Sequence, residues 1–119
     1  MSTTPISDHA LAVDLPRFWF DFMEDVRDLG VDCKQAKQYL DDLMAKLNRS
    51  KPIYGDTSFT RQPSEIIGEL MAEQIDTAGW AFVGWVNADQ ELRQELLEIA
   101  VEGFLLWTRL ASLQESLSD

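Results

Sequence analysis

The strongest constraint on the fold is a run of apolar residues, late in the sequence, whose spacing alternates between four and three. This alternation predicts a heptad seam, because it keeps side chains on one line of a helix that packs against a neighbour. Its members are Leu92, Leu96, Ile99, Gly103, Leu106, Leu110, Leu113 and Leu117. A second apolar line runs beside it, formed by Leu97, Val101, Phe104 and Ala111. Two adjacent lines need neighbours on both sides, as in a bundle interior or a dimer.

Three further helices are predicted before this one, from apolar residues at helical spacing. Gly30 is expected to end the first and Asn48 the second. The predicted caps or first residues of the four helices are, in chain order, Asp14, Asp32, Pro63 or Ser64, and Asn87. The sequence therefore predicts an all-α fold, a four-helix bundle-like domain with one long loop between helices 2 and 3.

The domain prediction follows from the irregular segments. Residues 1–12 are polar and lack periodicity, so we expect a flexible N-terminal tail before a single helical domain at residues 13–119. The predicted loop, residues 49–62, contains proline, glycine and turn-forming polar residues. No internal repeat is evident.

The stretch "GWAFVGWV", residues 79–86, is apolar all round when it is drawn as a helix. Such a segment needs more than one neighbouring element to cover it. We therefore expect a homodimer or other homo-oligomer that assembles through predicted helices 3 and 4, with Gly79, Trp80, Gly84 and Trp85 in the contact. The alternative is a well-packed monomer in which this helix is unusually buried.

Net charge restricts the partners. The chain carries a formal charge of -11, of which residues 62–119 hold -9. This disfavours duplex DNA and anionic membranes, and is compatible with a basic protein partner or a metal cation. No apolar run approaches the roughly 20 residues of a membrane span. One cysteine, Cys33, excludes an intramolecular disulfide and favours a cytoplasmic location.

Most catalytic constellations are excluded by composition. His9 is the only histidine and lies in the predicted tail, so neither a serine or cysteine nucleophile with a histidine base nor a zinc site is expected. Carboxylates remain as candidates. Each of two predicted helices carries a row of glutamates spaced three or four residues apart. Carboxylate oxygens are ligands that suit Mg²⁺. The candidate ligands are Glu69, Glu73, Glu98 and Glu102. The alternative is that both rows are a solvated face.

The segments "ELMAE" (residues 69–73) and "ELLEIAVEGFLLW" (residues 95–107) resemble the all-α nucleoside triphosphate pyrophosphohydrolases of the MazG type. The resemblance implies Mg²⁺ held between acidic helices of an oligomeric bundle. The chain departs from that pattern in two places. Its first acidic helix lacks adjacent paired glutamates, and its second lacks an aspartate three residues after a glutamate.

A basic and aromatic segment forms the third candidate site. Lys51, Tyr54 and Arg61 in and beside the predicted loop are suited to a phosphate or a single-stranded base, and under the enzyme hypothesis to a triphosphate tail. The alternative is structural, with aromatic rings docked on the core and cations paired with the acidic helices.

Three functional hypotheses follow. The leading one is a small acidic cytoplasmic interaction or regulatory module, which self-associates and needs no cofactor. The first alternative is a Mg²⁺-dependent pyrophosphohydrolase. The second is an acidic mimic of nucleic acid that occupies a basic protein groove. Carboxylates that converge inward favour the enzyme, and carboxylates that form an outward array favour mimicry.

Overall fold

The computed structural model describes residues 6–117, except for the side chains at positions 51, 53, 54, 55 and 58. The regular elements in this range are helical, which confirms the predicted all-α class. They are α1 (Ile6–His9), a π-helical segment (Ala10–Asp14), α2 (Leu15–Asp28), α3 (Cys33–Tyr54), a 3-10 segment (Gly55–Thr60), α4 (Pro63–Val86) and α5 (Gln90–Leu117). Contacts divide the chain into two compact units, Met1–Thr60 and Arg61–Asp119. The packing of all four long helices into one bundle stays a prediction.

In the first unit, α2 and α3 form a pair joined by a short turn. Gly30 has φ 74°, the left-handed conformation that glycine adopts without strain, and it ends α2 as predicted. The Asp32 carboxylate accepts the N–H of Lys34 at 2.9 Å and so caps α3. Leu40, 1% exposed, is the most deeply buried side chain of α3, and Phe22 stacks on Tyr39 with ring centres 5.9 Å apart.

The start of the chain differs from the prediction. Residues 6–14 are helical, where a tail and a helix start near Asp14 were expected. Asp14 makes no side-chain cap bond. Instead, the backbone N–H of Ser7, a buried residue, donates to Oδ1 of Asp56 at 2.7 Å. This long-range bond satisfies a donor in the first turn of α1, and local sequence patterns do not reveal it. Residues 1–5 of the predicted tail lie outside the described residues.

The predicted loop at residues 49–62 also differs. α3 continues past Asn48 to Tyr54, and the 3-10 segment follows it to Thr60. Pro52 lies in the last turn of α3, where it removes the one hydrogen bond that its N–H would have donated to the carbonyl four residues earlier. The helical backbone therefore replaces most of the irregular connection that the proline and glycine content predicts.

The second unit is a helical hairpin of α4 and α5. α4 begins at Pro63, as predicted, and includes the whole "GWAFVGWV" stretch. The cap of α5 is Asp89 rather than Asn87, since Oδ1 of Asp89 accepts the N–H of Leu92 at 2.8 Å while Asn87 ends α4. None of the described helices combines the length and apolar character needed to cross a membrane.

Candidate functional site

The two helices of the hairpin run antiparallel and in close contact. A Cβ atom at Gly84 would lie 3.2 Å from Cδ1 of Leu96, and one at Gly68 would lie 3.3 Å from Nε2 of Gln114. The same amide of Gln114 donates to the carbonyl of Ser64 at 3.1 Å. Contacts near the end of α4 therefore involve the start of α5, and contacts near the start of α4 involve the end of α5.

The line of α5 that faces α4 is rotated from the predicted heptad seam. Its buried or half-buried members are Leu96, Ala100, Gly103, Trp107, Leu110 and Gln114. Three of these belong to the predicted seam, whose other members are exposed: Leu92, Ile99, Leu106, Leu113 and Leu117. The facing line of α4 has heptad spacing too, with Ile67, Met71, Gln74, Ala78, Ala81 and Trp85. Small residues on both lines let the two backbones approach closely. This packing against α4 determines which apolar residues of α5 are buried.

Two apolar pockets lie next to each other along one side of the hairpin. The first, about 310 Å³, is lined by Gln74, Ile75, Ala78, Ala100, Gly103, Phe104 and Trp107. The second, about 290 Å³, is lined by Ala81, Phe82, Trp85, Leu96, Leu97 and Ala100. Ala100 belongs to both, so the pockets adjoin. We call them together the hairpin groove.

The groove has small residues as its floor and large exposed residues as its flanks. Ile75 and Phe82 flank it on α4, 62% and 63% exposed, and Leu97 and Phe104 flank it on α5, 52% and 60% exposed. The members of each pair are seven residues apart, so they lie on the same side of their helix. The groove is suited to large apolar side chains of a partner.

The four residues predicted for self-association lie in different environments. Trp80 is 74% exposed, and a Cβ atom at Gly79 would have no neighbour within 4 Å. Gly84, by contrast, packs against Leu96 within the hairpin. Trp85 is half-buried beneath Arg93, whose guanidinium lies 4.1 Å from the centre of the indole ring. Gly79 and Trp80 are therefore exposed, Gly84 packs within the hairpin, and Trp85 both contacts Arg93 and lines the hairpin groove.

The structure does not bring the four candidate metal ligands into a binding group. Glu69, Glu73, Glu98 and Glu102 are all exposed. Among the residues that the structure describes, no group of three or more histidine, cysteine or acidic side chains could hold a metal ion. Two apolar pockets between the helices have no carboxylate in their lining, and a more polar one is lined by Glu65 and Glu115, neither of which is a candidate ligand. The acidic rows lie on the solvent side of the hairpin.

The basic candidate site is described only at Arg61, because the side chains of Lys51 and Tyr54 lie outside the described part. Arg61 donates to Glu69 at 2.9 Å, and its Nε lies 3.6 Å from Glu65. The hydrogen bond to Glu69 raises the pKa of the guanidinium above its usual value. Arg61 thus pairs with the acidic face of α4, in line with the structural alternative for this residue.

Comparisons with known proteins add no relative. No family model, no curated protein and no solved structure matches the chain.

Proposed function

We propose that the chain is an acidic helical interaction module that self-associates through α4 and α5. The observation that supports the proposal is the apolar surface of the hairpin, above all the groove and its exposed flanks. Large contiguous apolar patches on a protein surface mark interaction sites or ligand-binding grooves.

The side of α5 opposite the groove strengthens the proposal. Leu92, Ile99, Leu106 and Leu113 are seven residues apart and 40% to 49% exposed. They continue the predicted leucine seam but do not face α4. The hairpin therefore exposes apolar residues on two sides. The contact between α4 and α5 itself needs only one apolar side of each helix.

Charge sets the conditions under which association occurs. Residues 62–119 carry a net charge of -9, so two copies repel each other at low ionic strength. The proposed module acts in the cytoplasm, which the single cysteine supports. A basic protein would be attracted to the same acidic surface.

Sedimentation velocity over a range of micromolar concentrations tests the proposal. We expect a dimer or larger assembly whose dissociation constant falls as NaCl rises from about 0.05 M to about 0.5 M, because salt screens repulsion between carboxylates while apolar contacts persist. A basic partner would show the opposite salt dependence. A chain that stays monomeric at all concentrations and salt levels contradicts the proposal.

A further inference from the structure

α4 and α5 carry the same sequence pattern, displaced by 22 residues. Residues 69–85 read "ELMAEQIDTAGWAFVGW" and residues 91–107 read "ELRQELLEIAVEGFLLW". Six positions are identical: Glu69/Glu91, Leu70/Leu92, Glu73/Glu95, Ala78/Ala100, Phe82/Phe104 and Trp85/Trp107. Ile75/Leu97, Asp76/Glu98 and Ala81/Gly103 are similar. This repeat corrects the expectation that the chain has none.

The repeated residues have the same geometry in both helices. Phe82 stacks on Trp85 with ring centres 6.4 Å apart and an interplanar angle of 16°. Phe104 stacks on Trp107 at 6.5 Å and 10°. The two helices thus share the local arrangement of these side chains as well as their sequence.

The two pockets are equivalent under the same displacement. Adding 22 to each α4 residue of the second pocket, Ala81, Phe82 and Trp85, gives α5 residues of the first pocket, Gly103, Phe104 and Trp107. Subtracting 22 from the α5 residues of the second pocket gives Gln74, Ile75 and Ala78 of the first.

Antiparallel helices with equivalent residues are related by a local two-fold axis. Because both pockets lie on one side of the hairpin, this axis is perpendicular to the groove and passes through its floor, between Ala78 and Ala100. The groove therefore looks nearly the same after half a turn, because only Gln74, Ile75 and Gly103 of the first pocket differ from their equivalents Leu96, Leu97 and Ala81 in the second.

We propose that the occupant of the hairpin groove is the groove of a second copy, so that two hairpins pack face to face as a four-helix bundle. This inference rests on the proposed self-association and specifies its surface. In a dimer with two-fold symmetry, each copy contributes the same patch, which must complement itself. Large flanks and a small floor satisfy this requirement, because the flanks of one copy lie over the floor of the other.

The symmetry favours a hairpin over a single helix as the occupant. A single helix has no two-fold axis perpendicular to its length, so it would contact the two equivalent pockets differently. A second hairpin carries the same local axis and contacts both alike. Ile75 and Leu97 then have equivalent surroundings, as do Phe82 and Phe104.

The face that a second copy would cover is longer than the groove. α4 has 24 residues and is about 36 Å long, of which the groove, at residues 74–85, takes about 18 Å. Two helices about 9 Å apart present a face about 20 Å wide, so the whole face gives on the order of 700 Å² per copy, close to the roughly 800 Å² per partner of stable interfaces. The groove-lining residues are uncharged, and Glu65 and Glu115 lie beyond the groove, toward the end of the face.

Matched substitutions test the inference, with the dissociation constant of the dimer measured by sedimentation equilibrium. Ile75→Glu and Leu97→Glu each place a carboxylate in the groove at equivalent positions. Both residues are exposed in the hairpin, so we expect circular dichroism to show unchanged helix content. We expect each variant to raise the dissociation constant more than about tenfold, and the two increases to agree within about threefold.

A control variant places the same charge outside the groove. Thr77 is exposed and lies about 160° around α4 from Ile75, at 100° per residue, so Thr77→Glu should leave the dissociation constant unchanged. A wild-type dimer that Ile75→Glu and Leu97→Glu leave intact, or that only one of them breaks, overturns the groove inference while self-association stands. A wild-type monomer overturns both. Loss of the dimer in Thr77→Glu alone would place the interface elsewhere.

Discussion

Arg93, near the start of α5, contacts the end of α4 at Trp85. Its Nε donates to the carbonyl of Trp85 at 2.9 Å, and Nη2 donates to the carbonyl of Val86 at 3.0 Å. The guanidinium also lies over the indole ring of Trp85, at 4.1 Å from its centre. One cation thus bonds two carbonyls at the end of a helix, of which that of Trp85 also accepts the backbone N–H of Ala88 at 3.2 Å.

Arg93→Met should lower the free energy of unfolding by about 1–3 kcal/mol, since it removes two charge-assisted hydrogen bonds and the cation–π contact. Urea denaturation followed by circular dichroism measures the change. Arg109→Met, on an exposed position of the same helix, is the control. Equal stability of the two variants would show that the Arg93 contacts contribute nothing.

Asp89→Ala should lower the free energy of unfolding by about 1 kcal/mol, because the first turn of α5 loses the acceptor for the Leu92 N–H. Asn87→Ala, at the position that the sequence predicts as the cap, should have a much smaller effect. Chemical denaturation of both variants distinguishes the two positions. A larger loss in Asn87→Ala would restore the sequence prediction.

Gly84→Leu should destabilise the hairpin by about 1–3 kcal/mol, because the added side chain overlaps Leu96, which already lies 3.2 Å from a Cβ atom at this position. Gly84→Ala should cost less, since the flexible end of Leu96 can move by a few tenths of an ångström. Thermal unfolding of both variants shows which of them is less stable. If the leucine variant is as stable as the wild type, the close contact does not limit the packing.

Mg²⁺ should raise the melting temperature no more than NaCl at matched ionic strength. The four candidate glutamates are exposed, and Glu69 is engaged by Arg61, so the ion meets only general screening. Glu73→Gln should leave the response to Mg²⁺ unchanged. A Mg²⁺-specific increase that Glu73→Gln abolishes would establish a binding site instead.

Helix boundaries that depend on neighbouring residues are predicted well from the sequence. Contacts between residues far apart in the sequence are not. Gly30, Asp32 and Pro63 mark helix boundaries because their effect acts within one turn of the chain. The bond from Ser7 to Asp56 joins residues 49 apart and leaves no local pattern.

The seam of α5 shows a second kind of limit. Two adjacent apolar lines fit the helical period, and only the packing of α4 selects between them. Leu106, a member of the predicted seam, is exposed, while Trp107 beside it is half-buried. The groove is not predicted from the sequence for the same reason. The repeat that lines it is divided between two helices, and the two halves form one groove only because the helices are antiparallel.

The difference between Gln74 and Leu96 shows what joining two equivalent helices in one chain makes possible. In an assembly of separate identical helices, every substitution appears at all equivalent positions at once. Here a substitution changes one pocket and leaves the other intact. The pocket with Gln74 offers a carboxamide where its counterpart offers a methyl group. The two halves can therefore diverge, one retaining a purely apolar contact while the other acquires a preference for orientation.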